Sequence, residues 1–170
     1  MTTSDLNLAR FLPYRLSVLS NTISHTVARL YETRFGITIP EWRVIAVLGS
    51  GRTMSAGEVA AATAMERVQV SRAISRMLES GLILRETGDR DRRRADLTLT
   101  ARGLAIYTEI APLALAYETR ITSVLDPAEA AMLDRLLAKL QVQADILASS
   151  PPPAPLGESQ GGGSGLPDTR

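Results

Sequence analysis

The sequence predicts a mostly α-helical protein, a winged helix-turn-helix with long helices before and after it and one small β-hairpin as the wing. Three observations carry this. Residues 55–80 read as two short helices separated by a break at Ala64–Met65. Two short β-like runs follow, Leu82–Glu86 and Ala95–Leu99, and the connection between them contains Arg90, Arg92, Arg93 and Arg94. On both flanks, over 13–35 and 101–147, apolar residues recur at helical spacing for longer than a small domain needs.

Residues 1–12 read as a flexible end. From Pro13 to Phe35 the residues Leu12, Leu16, Leu19, Ile23, Val27 and Leu30 step by four and three, which predicts one long amphipathic helix. Pro13 fits its first turn, where a missing N–H costs nothing, and Gly36 ends it. This seam is either intramolecular core or a surface for a partner helix. Pro40 opens a shorter helix to Leu48 with Trp42, Ile45 and Leu48 inward. Gly49-Ser50-Gly51 closes it as a turn, too short and poorly placed for a phosphate loop.

Ser55 and Glu58 form an S-x-x-E capping box at the start of the first short helix. On the second, running to about Ser80, Val70, Ala73, Ile74, Met77 and Leu78 share one face. Val68, Gln69, Arg72, Ser75, Arg76 and Glu79 lie opposite. Gly81 supplies the left-handed residue that ends it. A polar-faced second helix suits the DNA major groove, and an arginine-tipped hairpin suits a neighbouring groove or the backbone. A basic loop alone describes an ordinary solvated surface equally well; its conjunction with the capped helix, the tight turn and the polar-faced helix favours DNA. The candidate contacts are Arg67, Gln69, Ser71, Arg72, Ser75, Arg76, Arg90, Arg92 and Arg94.

Thr100 caps a further helix, Ala101 to about Val124, with Leu104, Tyr107, Ile110 or Ala111, Ala114, Tyr117 and Ile121 as its stripe and Pro112 as a kink. Asp126-Pro127-Ala128-Glu129 is a helix start combining an N-cap, a first-turn proline and an acid at the third position. That last helix runs to about Leu147 with Leu133, Leu137, Leu140, Ala144 and Leu147 on one side. Residues 149–170, rich in Pro, Gly and Ser, read as a disordered tail. The chain thus divides at 1–12, 13–36, 37–100, 101–148 and 149–170.

The net charge of +1 would not point to nucleic acid, but its distribution does. Between Arg67 and Arg94 eight arginines face four acids, whereas from Gly103 onward four basic residues face eight acids. The chain has no Cys and a single His, His25, which excludes disulfides, thiol sensing and cysteine metal sites. With no Gly-rich phosphate loop either, an enzyme would have to work with carboxylates alone. The reading is therefore non-enzymatic, with no metal and no cofactor. Met1–Arg10 is polar and no apolar run approaches the ~20 residues of a bilayer span, so the expectation is a soluble, cytoplasmic protein with no membrane partner.

The order of elements resembles the MarR family of bacterial transcriptional regulators over residues 10–148. The matching residues are Gly36-Ile37-Thr38-Ile39-Pro40-Glu41-Trp42-Arg43-Val44, Val70-Ser71-Arg72, Gly81-Leu82-Ile83, Asp91-Arg92-Arg93 and Leu99-Thr100-Ala101-Arg102-Gly103. The resemblance implies an obligate homodimer joined through the first and last two helices, making 13–36 and 101–148 dimerisation segments. It also implies a pseudo-palindromic double-stranded DNA operator and, commonly, release by a small aromatic effector, and Asp91 pairing with Arg93 to brace the wing. Tyr14, Arg15, His25, Trp42, Tyr107 and Tyr117 lie on the helices that join body to DNA-binding lobe. They are the candidates for an aromatic wall or an anion partner, with an aromatic carboxylate or its thioester as the expected effector. The competing class is a winged-helix module that binds protein and has no ligand response; salt-sensitive binding to duplex DNA separates the two.

Overall fold

The computed structural model describes residues 6–87 and 95–150. It contains seven α-helices and three strands among those residues. A 3-10 turn at Leu8–Arg10, capped by the Asn7 side chain, leads into α1 (Leu12–Ala28). Then come α2 (Glu32–Phe35), α3 (Ile39–Leu48), β1 (Met54–Ser55), α4 (Ala56–Thr63) and α5 (Arg67–Glu79). The hairpin strands β2 (Ile83–Thr87) and β3 (Ala95–Leu99) precede α6 (Ala101–Thr122) and α7 (Pro127–Ser149).

The continuous helix expected over 13–35 is instead broken at Arg29–Tyr31. There the backbone tightens, the Leu30 N–H donating to Val27 O at 2.9 Å and the Tyr31 N–H to Ala28 O at 3.0 Å. The break turns Tyr31 inward, where it is 1% exposed and its ring lies 5.6 Å from that of Trp42. Burial of an aromatic ring outweighs the few helical hydrogen bonds given up. Gly36 then closes α2 with φ +66°.

α3 starts one residue earlier than expected, at Ile39. Its cap is a box not expected from the sequence: Glu41 accepts from both the Thr38 N–H and the Thr38 hydroxyl, each at 2.7 Å. The expected Ser55/Glu58 box forms as well, with the Ser55 N–H donating to Glu58 at 2.8 Å. Ala64, in the turn between α4 and α5, takes left-handed backbone at φ +50°, an uncommon conformation for alanine. That single residue makes the turn tight.

The first hairpin strand begins at Ile83 rather than Leu82, because Leu82 is used to end α5. Its N–H donates to Met77 O at 2.8 Å while the Gly81 N–H donates to Leu78 O at 3.1 Å, a Schellman closure with Gly81 at φ +66°. The sheet also has a third strand. Met54 and Ser55 pair antiparallel with Leu97 and Asp96, giving the order β1-β3-β2. In the hairpin Ile83 pairs with Leu99 and Arg85 with Leu97.

Residues 6–121 contain the core, built from Ile37, Val44, Ile45, Leu48, Val59, Val70, Ile74, Met77, Ile83, Leu97 and Ile110. The expected inner face of α5 is buried at Val70, Ala73, Ile74 and Met77, and half-buried at Leu78. α6 runs on through Pro112 and buries Gly103, Ile106 and Ile110. Of the expected stripe, Ile110 is buried and Tyr107, Ala111, Ala114, Tyr117 and Ile121 are half-buried, whereas Leu104 is 50% exposed. In the second unit, α7 begins at the expected Asp126/Glu129 capping box. Leu133, Leu137, Leu140 and Leu147 are exposed there, as are Leu12, Leu16 and Leu19 on α1. No helix among the described residues is long and apolar enough to cross a membrane.

Candidate nucleic-acid interface

Burying Val70, Ala73, Ile74 and Met77 leaves the opposite side of α5 to water. Val68, Gln69, Arg72, Ser75, Arg76 and Glu79 are all exposed there, as the sequence pattern implies, and the candidates Arg67 and Ser71 are exposed on its flanks. Among the described residues none of the arginines in this row forms a salt bridge. Their charge is therefore available to an anion. The N-cap residue of α5 is the exposed Glu66, whose side chain makes no capping hydrogen bond; no acid follows in the first turn, which Arg67 opens.

Shallow clefts flank α5. One is lined by Gln69, Arg72 and Arg76 with Thr38 and Pro40 from the start of α3. The other is lined by Arg67 and Ser71 with Ala56 and Gly57 of α4 and Arg85 of β2. Arg85 is exposed, and sequence reasoning does not find it, because alternation in a strand says nothing about which neighbour its head will reach. The start of α3 is also absent from the sequence-based candidates, although the T-x-x-E signature of its cap is in the sequence. Arg90, Arg92 and Arg94, and the bracing pair Asp91 and Arg93, lie outside the described residues.

The effector candidates separate. Trp42 and Tyr107 come together, ring centroids 6.4 Å apart and 23° from parallel, and the Tyr31 ring also lies against Trp42. Beside this trio, Ile23, Ser24, Val27, Tyr31, Ile39, Trp42 and Arg43 line a crevice between α1 and α3 of about 170 Å³. Tyr31, Ser24 and Arg43 are additions to the sequence-based candidates; Tyr31 escapes notice as long as the helix is taken to be continuous. Burial, helped by the Glu32 charge and partly offset by Arg43, pushes the Tyr31 hydroxyl up to about 12, so it keeps its proton and can donate.

The other candidates lie elsewhere. Tyr14 and Arg15 are exposed near the start of α1. His25 is exposed on a different face of α1, along a groove with Asn21, Thr22 and Arg29. Tyr117 is half-buried ten residues beyond Tyr107, about 15 Å along the helix. Among the described residues no three acids or histidines converge to hold a metal.

A model of the MarR family matches residues 35–94, from the end of α2 through the wing. The transcriptional regulator FarR of Neisseria gonorrhoeae is 30% identical over 113 residues, 66% of this chain and 77% of that one. The chain belongs to the MarR family. It is a DNA-binding transcriptional regulator of the winged-helix type. Among solved structures, a MarR/EmrR family regulator from Acinetobacter sp. ADP1 is similar at 26% identity and a TM-score of 0.77, over 83% of this chain and 99% of that one. NadR in complex with 4-hydroxyphenylacetate is similar at 26% identity and a TM-score of 0.67, over 82% and 96%. The MarR match takes in the Thr38/Glu41 and Ser55/Glu58 capping boxes, the helix pair and the strand carrying Arg85.

Proposed function

We propose that this MarR-family protein is a homodimeric repressor that reads a pseudo-palindromic operator with α5 and is released by a small aromatic acid or its thioester. The observation that carries the proposal is the row of exposed arginines on α5, none ion-paired among the described residues, together with Gln69, opposite its buried face. An arginine at such a position makes bidentate contacts to guanine, and Gln69 can do the same to adenine. Arg67 and Arg85 bracket the neighbouring cleft and meet backbone phosphate. In this reading the protein acts by binding and release, catalysing nothing itself.

Two further observations support the dimer and the effector. Leu12, Leu16 and Leu19 on α1, and Leu133, Leu137 and Leu140 on α7, remain 39–57% exposed in the single chain. Rows of leucine at helical spacing belong against a second copy rather than in water. Tyr31 and Trp42, with Ser24 and Arg43, offer the crevice an aromatic wall, hydroxyl donors and a cation, the complement of an aromatic carboxylate. NadR binds 4-hydroxyphenylacetate, an acid of that class. At about 170 Å³ the crevice is below the ~300–1,000 Å³ of most ligand sites, so the effector has to widen it. This is how binding becomes motion of α1 against α3.

The test is a titration of 4-hydroxyphenylacetate and related aromatic acids into the chain, with and without an operator duplex. By linkage, an inducer binds the DNA-free protein more tightly than the complex, by the factor with which it weakens DNA binding. Equal affinity in both arms eliminates a compound as inducer. If no aromatic acid shows the difference, the effector half of the proposal fails.

A further inference from the structure

α6 grips the DNA-reading helix at its far end. The Thr100 hydroxyl donates to Gly81 O at 2.8 Å and to Leu82 O at 3.2 Å, and the Thr100 N–H donates to Leu82 O at 3.0 Å. Two residues on, the Arg102 guanidinium donates to Ser80 O at 3.0 Å. Ser80, Gly81 and Leu82 are the residues that close α5. The carbonyl of Ser80, the C-cap, lies at the negative end of that helix, where a guanidinium is held by charge as well as by the hydrogen bond. Gly103 completes the clasp, since a side-chain carbon there would collide with the Leu82 carbonyl oxygen.

One turn along the same face of α6, Tyr107 is fixed a second time. Its ring stacks on Trp42 and lies so tightly over Gly49 that no Cβ fits beneath it. Gly49 caps α3, and Trp42 lines the aromatic crevice. α6 therefore touches the crevice wall at Tyr107 and the end of α5 at Thr100, Arg102 and Gly103, with a single rigid stretch of helix between.

We propose that Arg102 and Thr100 are positioning residues for DNA reading: by holding the Ser80, Gly81 and Leu82 carbonyls they fix the angle at which α6 presents α5. Neither has to touch DNA. The inference rests on the reading of α5 as the helix that contacts base edges. Arg102 is exposed, which makes its replacement compatible with folding, and its hydrogen bond to Ser80 is one that lysine can also donate.

The experiment measures affinity of wild type, Arg102→Ala, Arg102→Lys and Thr100→Val for two duplexes across a salt series. One duplex is selected by the wild-type chain from a random pool; the other is a scrambled sequence of equal length. Positioning predicts that Arg102→Ala loses about tenfold on the selected duplex and little on the scrambled one, with the salt slope unchanged. Arg102→Lys recovers most of the loss, and Thr100→Val behaves as Arg102→Ala. A parallel loss on both duplexes, with a salt slope flatter by about one unit for each phosphate Arg102 had neutralised, makes Arg102 a phosphate ligand and overturns the inference. Wild-type affinity in Arg102→Ala overturns it too, while leaving the reading of α5 intact. A wild-type chain that selects no sequence from the pool overturns both.

Discussion

Gly103→Ala measures how tightly α6 is joined to the end of α5. The added methyl would sit on the Leu82 carbonyl oxygen, with the Leu82 carbonyl carbon and Leu99 Cδ2 each at 3.2 Å. The carbonyl cannot swing aside at low cost. It accepts from the Thr100 N–H and hydroxyl, and the same residue's N–H holds Met77 O at 2.8 Å. Overpacking of this kind costs ~1–3 kcal/mol, and a disturbed Thr100 cap adds ~1 kcal/mol. Against this, alanine gains at most ~1 kcal/mol over glycine in a helix interior, and less in a first turn. Overpacking wins, and the net is a destabilisation of ~1–3 kcal/mol. Urea unfolding at fixed protein concentration, followed by the fluorescence of Trp42, the only tryptophan in the sequence, should show the midpoint falling by roughly 1 M. The control is Gly57→Ala at an exposed position of α4, where only the Ser55 hydroxyl comes within 4.0 Å. There the propensity gain acts alone, and the midpoint should hold or rise. A Gly103→Ala midpoint equal to or above wild type would refute the packing argument.

Three other outcomes follow from the same geometry. Ala64→Gly relieves left-handed backbone in the helix-turn-helix turn, so the urea midpoint should hold or rise, whereas β-branched Ala64→Val should lower stability by roughly 1 kcal/mol or more, the cost of that conformation. Tyr31 titrates at about 12 in the fold and near its ordinary 10 unfolded; below pH 10 both states keep the proton, and above it the unfolded chain releases it first. Stability should therefore fall as pH rises from 10 through 12, and Tyr31→Phe should remove that part of the fall in an alkaline series. The proposed dimer is tested by replacing Leu133, Leu137 and Leu140 by Gln, which should lower the sedimenting mass to that of one chain; an unchanged mass would refute a dimer seam on α7.

What is legible in the sequence is local. The Ser55/Glu58 and Asp126/Glu129 boxes, the glycines at 36 and 81, and the buried stripe of α5 each follow from residues within a few positions of one another. Thr38 and Glu41 carry the same kind of signal, obscured by Pro40 as the more obvious helix start. The break at Arg29–Tyr31 is not legible, because Val27 and Leu30 keep the helical spacing and only the distant Trp42 draws Tyr31 inward. Strand β1 is hidden for a like reason: two residues form a strand only where Leu97 and Asp96 offer a partner. At the interface, the α5 row depends on helical period alone, and its exposed side is where that period puts it. Arg85 and the trio of Tyr31, Trp42 and Tyr107 depend on how strands and helices stack, which no spacing along the chain reveals.

The central claim is that the outward face of α5 reads base edges, and Arg72 is its most direct probe. Wild type, Arg72→Ala and the wing variant Arg92→Ala are compared on a duplex selected by the wild-type chain and on single-base variants of it, at several salt concentrations. A bidentate arginine–guanine contact is worth ~1–3 kcal/mol of discrimination, so Arg72→Ala should erase a roughly 5- to 150-fold preference at one base pair in each half-site. Arg92→Ala should weaken binding to all the duplexes alike and flatten the salt slope by about one unit for each phosphate that Arg92 neutralises. If Arg72→Ala retained the full base preference of wild type, or weakened binding to every duplex equally as Arg92→Ala does, α5 would not be the reading helix.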